Sequence, residues 1–196
     1  RFATVENGTT PSRLKEEYWA DGNVPWLASG EVNRLYINEA SEFITAKALE
    51  ECSLRVLPVE TIIVGMIGQG KTRGMSAMLC VPASINQNLA AICPGPRLTS
   101  KYLLNIFHAV YEWLREAGRG GNQAAMNCQI LSALLIPLPS TDEQALITAF
   151  IDAETAHLDA LTAEATHGIA LLKERRSALI SAAVTGKIDV REANNQ

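Results

Sequence analysis

Thr61-Ile-Ile-Val-Gly-Met-Ile-Gly-Gln-Gly-Lys-Thr-Arg-Gly-Met-Ser-Ala-Met-Leu-Cys-Val-Pro82 supports two readings, and they lead to different folds. The run Gly65–Thr72 satisfies the phosphate-loop pattern GxxxxGK[ST] and follows an apolar strand. Such a loop needs a helix starting at its Gly-Lys-Thr, so that free backbone N–H groups and the helix dipole face the phosphates. Here Gly74 falls in what would be the first turn, the following residues have strand character, and Pro82 closes the run. The chain also lacks a convincing apolar strand ending in a metal-holding Asp, because Phe150-Ile-Asp152 lies in a helical pattern. Strand–loop–strand is the preferred reading, with the nucleotide-binding hydrolase on Gly65–Thr72 as the alternative. In the preferred form the loop is a hairpin tip displaying Gln69, Lys71, Thr72 and Arg73. Gln and Arg can read base edges, and Lys can neutralise a phosphate.

Working outward, Leu54–Leu57, Met75–Val81 and Leu89–Cys93 also read as strands, punctuated by Gly, Pro and Asn. Ala46–Cys52 and Ser100–Ala117 read as helices, and Leu134–Pro139 as a closing apolar strand with two breakers. Strands interrupted by helices and polar loops give an α+β class: a globular domain with a mixed, strongly twisted sheet and flanking helices. A second polar cluster, Arg119-Gly-Gly-Asn122-Gln123, repeats the hairpin's chemistry, whereas Asn86-Gln87-Asn88 reads as a turn.

The character changes at Ser140-Thr-Asp-Glu143, which fits a capping box. From there to Val184 there is no proline and a single glycine, Gly168. Ile151, Leu158, Ala165, Leu172 and Leu179 recur at sevens, with Ile147 and Leu161 between them. That spacing predicts a coiled-coil seam of Ile147, Ile151, Leu158, Leu161, Leu172 and Leu179. A helix of some 40 residues would run to about 60 Å, too long to bury its seam on one small domain. Two shorter helices folded back at Gly168 are the alternative. The expected divisions are 1–139 for the domain, 140–186 for the helical arm and 187–196 for a tail, with Thr185-Gly186 as the helix stop.

Charge follows the same division. The 196 residues carry 17 Lys and Arg against 21 Asp and Glu, a net −4 that sits badly with a simple DNA binder. All of that excess lies beyond residue 141, while residues 61–121 hold six basic side chains against two acidic ones. Four cysteines with no CxxC pair read as buried, reduced thiols. His108, among Phe107, Tyr111 and Trp113, reads as packed and not catalytic; His157 and His167 fall on the solvated face of the arm. No metal or nucleophile motif is present, and no apolar stretch reaches the roughly 18 residues of a membrane span. The expectation is a cytoplasmic chain, and the missing initiator Met points to a piece of a longer or processed protein.

Taken in order, the motifs resemble a known family. Thr10-Pro-Ser12, Tyr18-Trp19, Gly22-Asn-Val-Pro-Trp-Leu-Ala-Ser-Gly-Glu-Val-Asn33, Leu57-Pro58, the Ile67–Gly74 loop, Gly120–Gln123, Ile136-Pro-Leu-Pro139 and Glu143-Gln144 are similar to a target-recognition domain of type I restriction–modification specificity subunits. Phe150–Thr155, Lys173–Ile180 and Ala183–Arg191 resemble the conserved helix that follows it. Against the family's pattern, Gly-Lys-Thr looks like a variant of an Ile-Gly-Lys hairpin. The resemblance implies one half of a non-catalytic specificity subunit reading one half-site of double-stranded DNA. Its implied contacts are Gln69, Lys71, Thr72, Arg73, Arg119, Asn122 and Gln123. Its implied partners are adenine methyltransferase subunits, through them the restriction subunit, and a second specificity half or second copy paired antiparallel through the helix. S-adenosylmethionine, ATP and magnesium are expected on the partner subunits and no cofactor on this chain. A structural adaptor that reads no DNA is the remaining alternative.

Overall fold

A computed structural model describes residues 2–68, 71–117 and 126–189 of the chain. It divides into two units, Arg1–Thr148 and Ala149–Gln196.

The first unit is built on two small sheets. Strands β1 (Ala3–Asn7), β8 (Leu89–Pro94), β5 (Ile62–Gly65), β6 (Ser76–Leu79) and β3 (Tyr36–Ile37) lie side by side in that order. All neighbours are antiparallel except β3 and β6. The second sheet has the order β4 (Glu42–Ile44), β2 (Val24–Leu27), β7 (Ser84–Ile85), with β2 and β7 parallel.

The pleat explains why the central strands are apolar at nearly every position. Ile62 and Val64 of β5, Met78 of β6, and Ala90 and Ile92 of β8 face one side, against Leu103, Leu104, Phe107 and Leu114. Those four residues belong to α2 (Ser100–Ala109) and α3 (Tyr111–Ala117). The alternate residues Ile63, Ala77, Leu79, Leu89 and Ala91, with Ile37 of β3, cluster on the other side with Leu27, Val32 and Ile85. Both faces are therefore covered, and a strand covered on both faces loses polar alternation. A third cluster, Tyr18, Trp26, Ile44, Ala48 and Leu54, seats α1 (Ala46–Glu51) beneath the smaller sheet.

Several expectations change here. Leu54–Leu57 forms only a single bridge, Leu57 to Ala83, because Ser53 takes a left-handed turn (φ 52°) and Pro58 has no N–H to continue a ladder. The expected helix 100–117 breaks at Val110 into α2 and α3. Leu134–Pro139, which follows the short helix α4 (Cys128–Ser132), is not in a strand; Leu134, Ile136 and Leu138 pack inward on the helix-side core while Leu135 is 96% exposed. Its alternation is that of an extended chain, and its two prolines cannot donate to a sheet. The cysteines are free but not buried: Cys52, Cys93 and Cys128 are half-buried, and Cys80, at the end of β6, is exposed.

Helix α5 runs unbroken from Thr141 to Val184 through Gly168, so the fold-back alternative does not hold. At its start Ser140 Oγ accepts the Glu143 N–H at 3.2 Å. At its end Gly186 is left-handed (φ 72°), Lys187 N–H reaches Ala182 O at 2.8 Å and Gly186 N–H reaches Ala183 O at 3.2 Å, a Schellman stop. The first two turns belong to the first unit. There Gln144 is fully buried, donating to Arg97 O and Pro139 O at 2.9 and 3.0 Å and accepting from Thr99 N–H at 2.8 Å. Among the described residues from Ala149 to Asp189 nearly every one is exposed. Among the described residues no helix is long and apolar enough to cross a membrane.

Candidate nucleic-acid interface

The segment between β5 and β6 is a hairpin loop. Gly65 N–H bonds Met75 O and Gly74 N–H bonds Gly65 O, both at 2.9 Å, closing its base. No helix begins at Lys71-Thr72: residues 71–75 form a bend and a turn, and β6 follows. The phosphate-loop alternative is thereby corrected, since a hairpin has no helix N-terminus to aim at a polyphosphate.

Two glycines are required by this shape. A side chain at Gly65 would run into the Thr72 carbonyl. Gly74 has φ 81°, and a Cβ there would meet Tyr111 O at 3.1 Å and the Leu114 Cβ at 3.2 Å. The loop thus lies directly on the α2–α3 junction. Tyr111 Oη donates to Lys71 O at 2.9 Å, and the Arg115 guanidinium stands 5.4 Å from the Tyr111 ring centre and 3.7 Å from the Glu112 carboxylate. His108 is exposed, not packed, with Nε2 3.4 Å from Ser76 O. Helix α2 buries Leu103, Leu104 and Phe107, and the next position around the helix turns away from the core.

Of the sequence-predicted contacts, Lys71 is exposed, and Thr72 and Arg73 are half-buried in the same loop. Gln69, Arg119, Asn122 and Gln123 lie outside the described residues. Asn86-Gln87-Asn88 is the expected turn: Asn86 Oδ1 accepts the Asn88 N–H at 3.0 Å, and its amide donates to Ser29 Oγ at 3.0 Å. Met66 N–H bonds Asn88 O at 2.9 Å, so this turn and the hairpin occupy the same end of the larger sheet. Sequence reasoning did not single out Tyr111 and Arg115 as part of this face. Their spacing of four was a usable signal, since it places both on one side of a helix.

The shifted ionisations lie elsewhere. Lys15 and Lys47 are raised, chiefly by hydrogen bonds to the Tyr18 hydroxyl and to Glu17, and Glu51 is lowered chiefly by the Tyr18 hydroxyl. Burial pushes the Cys128 thiol up. Among the described residues no cluster of His, Cys, Asp and Glu could hold a metal ion. The arrangement is suited to hydrogen bonding and charge neutralisation, on a loop fixed at its base and against one helix.

On the second unit, Leu158, Leu161, Leu172 and Leu179 are about half exposed or more, at 58, 48, 66 and 58%. Ile151 is half-buried, and Ile147 packs on the helix-side core of the first unit.

Residues 2–169 match the family described as type I restriction modification DNA specificity domain. The specificity subunit of an Escherichia coli type I restriction enzyme is 29% identical over 168 residues, covering 83% of this chain and 40% of that protein. The specificity subunit of the type I restriction enzyme MjaIX from Methanocaldococcus jannaschii is 31% identical over 152 residues, covering 75% and 34%. Among solved structures, a chain from a study of assembly and conformational transition in the type I R-M system superimposes with a TM-score of 0.72 at 20% identity. It covers 93% of this chain and 43% of that one. The HsdS subunit from Thermoanaerobacter tengcongensis gives 0.64 at 21% identity, covering 82% and 37%. The chain spans less than half the length of these relatives.

Proposed function

The chain belongs to the type I restriction modification DNA specificity domain family, and from that membership we infer that it is a non-catalytic reader of double-stranded DNA. The first unit reads one half-site. The hairpin loop presents Lys71 to a phosphate and Thr72 and Arg73 to the groove, alongside Arg115. Residues Gln69, Arg119, Asn122 and Gln123 complete the contact set.

The observation that carries this reading is the closed hairpin at Gly65–Gly74, seated on Tyr111, where a nucleotide hydrolase would need a helix. The charge distribution supports it: the basic excess belongs to residues 61–121 and the acidic excess to residues beyond 141. Helix α5 takes the assembly role. Its exposed leucines pair with a second specificity helix, and the pair docks adenine methyltransferase subunits and, through them, the restriction subunit. S-adenosylmethionine, ATP and magnesium then belong to those partners, and the assembly to the cytoplasm.

Lys71→Ala tests the DNA contact. A phosphate contact predicts weaker binding to all duplexes alike and a fall of about one in the slope of log K against log salt. An unchanged slope contradicts the role given to Lys71.

A further inference from the structure

Gln87 stands exposed in the turn between β7 and β8. The residues on either side of it are fixed. Asn86 is buried: its N–H reaches Leu27 O at 3.1 Å, its amide reaches Ser29 Oγ at 3.0 Å and its Oδ1 accepts the Asn88 N–H at 3.0 Å. Asn88 is half-buried, and its carbonyl accepts the Met66 N–H at the base of the hairpin at 2.9 Å.

The Gln87 side chain is fixed as well, because Thr10 Oγ1 donates to Gln87 Oε1. Thr10 leaves β1 on an anchored segment. Thr9 N–H reaches Ile85 O at 3.1 Å, and the indole N–H of the buried Trp26 reaches Thr9 O at 3.1 Å. A glutamine on an open surface loses rotamer freedom when it makes a contact; here the anchor has already removed part of it. With Oε1 engaged by a hydroxyl, Nε2 and its two N–H groups are the end of the amide left to donate.

Sheet order puts this amide beside the hairpin. β8 lies between β1 and β5, with Ala90 opposite Asn7 and Leu89 opposite Gly65. The turn therefore emerges between the exit of β1, which leads to Thr10, and the base of the hairpin, one strand spacing of about 4.8 Å from each.

We propose that Gln87 is a second phosphate contact on the duplex, donating from its amide nitrogen, and that Thr10 is the positioning residue that aims it. This rests on the reading of the first unit as a duplex reader and adds a contact outside the hairpin and α3. An amide can also read adenine, but that takes both of its ends, an oxygen to accept from N6 and a nitrogen to donate to N7. Here the oxygen is turned to Thr10, and the planar amide carries its donors on the other branch. A phosphate oxygen needs donors alone. The contact is neutral, so it fixes the register of the duplex without displacing a counterion.

Fluorescence anisotropy with the full chain tests this on three short duplexes: random sequence, alternating dA·dT and alternating dG·dC. Thermal melting followed by circular dichroism checks folding. Gln87→Ala should weaken binding to all three alike, by about tenfold, with the slope of log K against log salt unchanged because no charge is lost. Thr10→Val removes the donor and should weaken binding by about threefold or more, and Thr10→Ser should restore it. Adding Thr10→Val to Gln87→Ala should cost nothing further, a result that a purely structural Thr10 would not give. Gln87→Lys puts a charge at the same phosphate and should steepen the slope by about one. A loss confined to dA·dT or to dG·dC would make Gln87 a base reader and overturn the proposal. An unaltered affinity or a shallower slope in Gln87→Ala, or an unmoved slope in Gln87→Lys, would overturn it too. Additive losses in the double variant would remove the role of Thr10. If Lys71→Ala lowers the slope while the Gln87 variants bind as the unaltered chain does, this contact falls and the reader function stands. An unaltered chain that binds none of the duplexes removes both.

Discussion

Replacing Gln144 by leucine removes a side chain with no exposure and four hydrogen bonds. Its amide nitrogen holds the carbonyls of Arg97 and Pro139, and its oxygen holds the N–H and hydroxyl of Thr99 just ahead of α2. Leucine keeps the volume and satisfies none of them. Three backbone groups then lose their partner, at about 1–3 kcal/mol for each that water cannot reach. Arg97 is exposed, so its carbonyl can recover a water, and the expected loss is about 3 kcal/mol in all. For a unit of this size that is a fall in melting temperature of about 6–12 °C. The assay is urea unfolding followed by tryptophan fluorescence, since Trp26 is buried in the same unit. Gln144→Glu should be worse near neutral pH, because a carboxylate would face two carbonyl oxygens with no proton to offer. A loss below about 1 kcal/mol for Gln144→Leu would refute the reasoning, since it would mean that water replaces these bonds freely.

The remaining expectations concern the hairpin and the helix. Gly74→Ala should cost about 1–3 kcal/mol in the same unfolding assay, because φ 81° suits glycine and the new Cβ would crowd Tyr111 O at 3.1 Å. Tyr111→Phe removes the hydroxyl that holds Lys71 O, so it should cost about 0.5–1.5 kcal/mol and weaken duplex binding in titrations while leaving the domain folded. Leu158→Asp together with Leu172→Asp should abolish association on a sizing column and leave the unfolding of the first unit unchanged.

Legibility in the sequence followed how locally each element is determined. The hairpin was readable because Gly74 and Pro82 disqualify a helix whatever surrounds them. Helix α5 was readable because its cap at Ser140, its stop at Gly186 and its freedom from proline are all local. By contrast β3 is two residues, Tyr36 and Ile37, and is a strand only because β6 lies beside it. The strands β2, β4 and β7 are likewise short and owe their pairing to residues distant in sequence. Leu134–Pro139 shows the reverse: a strand-like alternation without ladder partners, used to cover a core. The break at Val110 has no proline or glycine to announce it, and it coincides with the burial of Leu114 and the turn of Tyr111 toward the hairpin. At the site, the loop residues were legible by type, whereas the support from Tyr111 and the exposure of His108 depend on the packing of α2 and α3.

Selection from random duplex DNA by this chain, together with a methyltransferase subunit, tests the central claim most directly. A sequence reader predicts enrichment of a short motif, and loss or change of that motif when Thr72 and Arg73 are both replaced by alanine. A pool that stays random, or a motif indifferent to those replacements, would contradict the account.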